Sequence, residues 1–193
     1  MIETAKGIPE FQENGYLPHK CYEVTLDDIK EKLVDNFPDS KTRQSRFDCF
    51  MEFYEELLKN VKSCIRILIN GSFVSNEINP YDVDFVIILD GNSLTEDESN
   101  YLIEKVIYKK ELRKEYDNLK ERVKKGEIDY PSLYELGLYE YGCDFFPVLK
   151  YYPNQIEYVD YLQRKIYWIK FWGHSREQYP KGFLNLKVNY EED

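Results

Sequence analysis

Histidine is almost missing from this chain: His19 and His174 are the only two in 193 residues, and the four cysteines, at 21, 49, 64 and 143, include no Cys-x-x-Cys pair. A structural zinc site needs such ligands at short spacing, so none is expected, and neither is a phosphohydrolase built on a His-rich metal cluster. The cysteines read as buried small hydrophobes in a reducing compartment. No apolar run is long enough to cross a bilayer and no segment has the layout of a signal peptide, so a cytoplasmic protein without a membrane partner is expected. Positive charge is also in deficit. With 26 Lys and Arg against 36 Asp and Glu the formal charge is −10, which argues against a broad basic surface for duplex nucleic acid and leaves only a local basic channel open. There is no internal repeat and no low-complexity segment.

What is abundant is aromatic carbon. The 18 Tyr and 11 Phe predict a core built largely of ring packing, with hydroxyls reaching polar partners. The length fits one domain with a sizeable core.

The chain is organised around residues 65–89. Ile65-Arg-Ile-Leu-Ile69 and Phe85-Val-Ile-Ile-Leu89 are β-type apolar runs; Gly71-Ser72 closes the first, and Asp82 and Asp84 stand at the mouth of the second. Side chains alternate along a strand, so Asp82 and Asp84 face one side while Val83 and Phe85 face the other. No Lys or Arg occurs between Arg66 and Lys105, so no nearby basic residue in the sequence offsets the two charges. A hard divalent cation suits them, since Mg²⁺ prefers carboxylate oxygens and keeps its other positions for water and substrate phosphates. The Gly71-Ser72 turn supplies backbone N–H groups and a hydroxyl for phosphate oxygens. Metal on the aspartates and phosphate on the turn describe a nucleoside triphosphate site. The ordinary alternative is that Asp82 and Asp84 shape a turn after Asn79-Pro80-Tyr81, and that Asp144 is a core acid satisfied by backbone.

At these residues the chain resembles the nucleotidyltransferase superfamily of the polymerase-beta type, whose motif is Gly-Ser, a spacer and Asp-x-Asp, with a third carboxylate on a later strand. Asp144, in Cys143-Asp-Phe-Phe-Pro-Val148, is the matching candidate. The Gly7-Ile-Pro-Glu-Phe11 and Gly15-Tyr-Leu-Pro18 opening and the Lys181-Gly182 turn also resemble a bacterial family of nucleotidyltransferase-like proteins of largely unassigned function. The resemblance implies an α+β fold: a mixed sheet of the polymerase-beta palm type flanked by helices. The whole chain, 1–193, then forms one nucleotidyltransferase domain: an N-terminal arm and helix over 1–40, a catalytic core over 41–150, and a C-terminal helix and strand over 151–193.

Flanking elements follow from local signals. Gly and Pro punctuate an opening arm anchored by Phe11, Tyr16 and Leu17. Thr25-Leu-Asp-Asp28 is a capping box with Asp in place of Glu, followed by Ile29, Leu33 and Val34 at helical spacing; Pro38-Asp39-Ser40 ends that helix. A second helix is predicted from about Lys41 to Lys59, with Arg43 and Arg46 in its first turns, ordinarily a solvated face and alternatively a triphosphate or nucleic-acid contact. Thr95 caps an acid-rich third helix that becomes charge-dense from Lys109 to Lys125 and ends at Gly126. Pro131 precedes an aromatic segment, Tyr134 to Tyr141, leading to the Asp144 strand. A last helix is predicted from about Ile156 to Trp172 and a last strand from Phe183 to Val188, followed by a tail containing Tyr190.

The resemblance implies two Mg²⁺ or Mn²⁺ ions about 3.5–4 Å apart on Asp82, Asp84 and Asp144, which would be both metal ligands and catalytic residues. Gly71 and Ser72 would hold the β and γ phosphates, with Lys181 and Arg46 as further contacts to the bound ATP or other (d)NTP. The acceptor would be a hydroxyl on a protein or at a nucleic-acid 3′ end, with oligonucleotide synthesis in antiviral defence, a toxin–antitoxin partner from the same operon, or self-modification at Tyr190 as possible settings. An alternative is a non-catalytic, nucleotide-sensing or antitoxin-like binding module.

Overall fold

The computed structural model describes residues 3–127 and 142–188. The segment from Pro131 to Tyr141 and the tail with Tyr190 lie outside the described residues.

The two apolar runs form β3 (Cys64–Asn70) and β4 (Val83–Asp90), an antiparallel pair in which Asn70 stands opposite Asp84. β4 continues in parallel register into β5 (Cys143–Lys150), which places Asp84 directly beside Asp144 and Phe85 beside Phe145. β5 is last in the sheet order, where Pro147, lacking an N–H, is tolerated. On the other side of β3 lies β6 (Phe183–Lys187), antiparallel to it, and then two short strands that pair in parallel, β2 (Cys21–Val24) and β1 (Thr4–Lys6). Among the described residues the sheet is therefore six-stranded and mixed, in the order β1-β2-β6-β3-β4-β5.

Four helices flank it among the described residues. In α1 (Leu26–Lys30), Thr25 and Asp28 form the full capping box, and the helix runs on as a π-helical turn, Glu31–Asp35. α2 (Arg43–Asn60) starts two residues later than the sequence predicts, with the Ser40 hydroxyl accepting the Arg43 N–H at 3.1 Å in the manner of a cap. α3 (Glu96–Lys124) ends just before Gly126, whose φ of +71° is the left-handed stop that glycine allows. α4 (Tyr158–Trp172) closes the set.

Alternation sorts the core into two layers. Phe85 and Phe145 face α2, where Phe53 lies 5.2 and 4.7 Å from their rings and Phe50 meets Phe85 edge-on at 5.3 Å. Phe85 is fully buried, a contribution of about 1.5–3 kcal/mol from area alone. The opposite face carries Asn70, Asp84, Asp144 and Phe146, and α4 covers it, with Trp168 4.7 Å from Phe146. The sheet is thus covered on both sides around β4, which explains its unbroken apolar run. Among the described residues no helix is long and apolar enough to cross a membrane.

Candidate functional site

Asn70, Asp84 and Asp144 form a row across three neighbouring strands, on one face and at one end of the sheet. Strands lie about 4.8 Å apart, so the two carboxylates are immediate neighbours. All three predicted acids are partly exposed, none sunk into the apolar interior. Asp82, one residue before β4, shares their neighbourhood: both it and Asp144 act electrostatically on Cys143, whose thiol is pushed well up, chiefly by burial.

The Gly-Ser turn packs on this row. Gly71 has φ +79°, and a Cβ there would overlap Oδ2 of Asp84 and lie 2.8 Å from its Cγ. The turn is held by Asn70, whose side chain does two jobs: Oδ1 accepts the Gly71 N–H at 2.9 Å, and Nδ2 donates to the Trp172 carbonyl at 2.8 Å. Asn70 is fully buried, so losing either bond would strand a polar atom. The second bond also aims the C-terminal end of α4, the negative pole of its dipole, at the acid row. With the Gly71 amide already engaged, the turn's contacts to a phosphate would fall to Ser72, which is half-buried at the same corner.

Past α4 the chain turns back onto the site. Ser175, buried, donates from its N–H to the Tyr179 carbonyl at 2.8 Å and accepts the Tyr179 N–H on its hydroxyl; within this turn Gln178 adopts a φ of +67°. Lys181 follows. Its backbone N–H donates to the Gly173 carbonyl at 2.8 Å, and the Gly182 N–H to that of Leu17. Burial holds the Lys181 ammonium below its ordinary pKa, while the nearby Asp84 carboxylate pulls it back up. The predicted Lys181 thus stands with Asp84. Tyr16, from the opening arm, completes this side, its ring 5.9 Å from the Lys181 ammonium and its hydroxyl 3.4 Å from Glu177.

The two arginines at the start of α2 depart from the solvated face that is usual there. Arg46 is 4% exposed and lies near Cys49 and Cys143, the latter also within electrostatic reach of Asp82 and Asp144. Arg43 is fully buried. Its guanidinium donates to the carbonyls of Leu33, Phe73, Ser75 and Glu77 at 2.6–2.9 Å and stacks 3.7 Å from the Phe37 ring. Burial lowers its pKa to about 10. Arg43 therefore splints the loop that follows Ser72, a positioning role that no signal in its own helix announces. Asn70 was also missed, although a polar residue ending a buried apolar strand just before Gly-Ser was the available clue.

Divalent-cation chemistry suits the carboxylate pair: Mg²⁺ is commonly held by one or two carboxylates, with waters and substrate phosphates filling its remaining positions. Among the described residues no three His, Cys, Asp or Glu side chains are gathered into a closed ligand set.

Fold and site together define an α+β protein whose acidic cluster sits at the end of a six-stranded mixed sheet beside a glycine turn. The chain belongs to the DUF6932 family, a family of unknown function, whose model matches residues 9–187. No curated protein and no solved structure matches it.

Proposed function

We propose that the protein transfers a nucleoside monophosphate from a ribo- or deoxyribonucleoside triphosphate to a hydroxyl acceptor. The observation that carries this reading is the in-register pair Asp84–Asp144, with Gly71 packed on the first carboxylate and Lys181 beside it. Asp84 and Asp144, joined by Asp82, would hold Mg²⁺ or Mn²⁺, which when bound lowers the pKa of the acceptor hydroxyl and offsets charge on the departing pyrophosphate. Ser72 and Lys181 bind triphosphate oxygens. Gly71 lets them approach the backbone, since it has no side chain to fill the corner against Asp84. Asn70 keeps this corner fixed through its bond to α4, so little reorganisation is needed as charge shifts along the line of displacement. Asp144, on the last described strand of the sheet, is the carboxylate an incoming acceptor meets first.

The test is pyrophosphate release with each of the (d)NTPs, Mg²⁺ or Mn²⁺, and protein or oligonucleotide acceptors. Release by the wild type and its loss in Asp84→Asn and Asp144→Asn, both still folded, is expected; equal release from the variants overturns the assignment. A second reading, a module that senses nucleotides without catalysis, is favoured by two contacts: the Gly71 N–H is already taken by Asn70, and Lys181 already offers Asp84 a positive charge. Nucleotide binding without pyrophosphate release decides for it.

A further inference from the structure

The outer face of α4 is unusual for a surface helix. Val159, Ile166, Tyr167 and Phe171 are each more than half exposed, and the rings of Tyr167 and Phe171 lie nearly parallel, 7° apart with centroids 5.8 Å from each other. The face is fixed from below, because Trp168 packs on Phe146 and also meets Tyr167 and Phe171 edge-on. These rings therefore face outward from a packed base.

Charge separates this surface from the rest of the molecule. Between Tyr158 and Lys181 there are five basic and two acidic residues, in a chain of net charge −10. Arg164 and Lys170 are exposed on α4 together with the two rings, and Arg176 and Lys181 continue the positive character from the helix end to Asp84. α4 also ends at the acid row, through the Trp172 carbonyl and Asn70. Solvent-facing rings alternating with cations suit unpaired bases and their phosphates: every base has a face to stack, and each phosphate needs a nearby cation. A duplex would hide its base faces from such rings.

We infer that α4 is a stacking platform for a single-stranded nucleic acid, whose bases lie on Tyr167 and Phe171, whose phosphates meet Arg164 and Lys170, and whose 3′ hydroxyl is led towards Asp144. This names the acceptor class of the proposed transferase and rests on that reading only for the final step; binding on α4 is independent of it.

The test is fluorescence anisotropy with a short labelled single-stranded oligonucleotide, without nucleotide or metal, on the full chain. Saturable binding that weakens about tenfold or more in a Tyr167→Ala/Phe171→Ala variant is expected. Arg164→Ala/Lys170→Ala should make the fall of affinity with salt shallower. The substituted side chains are solvent-facing, so unchanged circular dichroism and melting are expected to accompany both results. Absence of oligonucleotide binding, or equal binding by the ring variant, overturns the inference. So does a wild type that is dimeric by light scattering while the ring variant is monomeric, which assigns the face to self-association. Oligonucleotide binding through these rings with no pyrophosphate release upholds the platform and rejects the transferase; pyrophosphate release to a protein acceptor with no oligonucleotide binding does the reverse.

Discussion

Gly71 and Asp84 occupy one corner between them: the carboxylate fills the space a side chain on Gly71 would need, and the φ of +79° at Gly71 already favours glycine. Gly71→Ala combines left-handed strain with overlap and should cost at least about 2 kcal/mol, as measured by urea denaturation. It should also weaken nucleotide binding, because Asp84 has to move aside. A variant with unchanged stability and binding would show that this corner yields freely.

Lys181 and Asp84 act on one another, so their substitutions should not be additive. Lys181→Met should weaken triphosphate affinity, as read by calorimetry, by about tenfold, in keeping with loss of one charge-assisted contact. In an Asp84→Asn background the same change should have a clearly different effect. Equal effects in both backgrounds would mean that the two groups work independently.

Arg43 serves four carbonyls from two segments of chain. Arg43→Met removes every donor at once and should cost about 3 kcal/mol or more. Arg43→Lys should recover only part of that, since an ammonium cannot reproduce the planar fork. Chemical denaturation of both variants checks the ranking, and hydrogen exchange at Phe73 to Glu77 should rise in both. A lysine variant as stable as the wild type would refute the splint.

Asn70→Ala severs the link between the glycine turn and α4. A loss of about 2 kcal/mol is expected, with faster hydrogen exchange at Gly71 and near Trp172. Exchange confined to one of these two places would show that the bonds are not coupled through Asn70.

Glu98 gives a pH signature. It is 6% exposed, and burial alone would raise its pKa, but N–H groups of Thr95, Ser63 and Lys62 outweigh that and hold it below the ordinary 4.5. An acid with a depressed folded-state pKa stabilises the fold above its unfolded value and loses that contribution as pH falls through the folded value. Stability should therefore drop below pH 4.5, and more steeply in the wild type than in Glu98→Gln. Parallel urea midpoints for the two proteins across this acid range would contradict the assignment.

The parts of the fold governed by local pattern were legible in the sequence. β3 and β4 follow from apolar runs and the α1 capping box from Thr25 and Asp28, while Asp144, which β5 sets beside Asp84, was singled out by the family resemblance and not by local pattern. β1 and β2 were not legible, since three and four residues carry little periodicity and β2 joins the sheet through β6, more than 150 residues away. Arg43 was misread for a similar reason. Its helix has no signal for burial, and its acceptors belong to Leu33 and to the loop from Phe73 to Glu77. Arg46, offered as a phosphate contact from the first turns of its helix, is buried near Cys49 and Cys143; a helical stripe cannot reveal which layer will close over it.

The position of β6 has a consequence for biosynthesis. It is the last described strand to be translated, yet it lies between β2 and β3. While the nascent chain is still on the ribosome, the early strands and the hairpin with its parallel neighbour can exist only as two separate half-sheets, each with a bare edge where β6 will insert. Closing that gap is the step at which chaperone protection matters most, and a premature stop before Phe183 would leave both edges open to pairing with other chains.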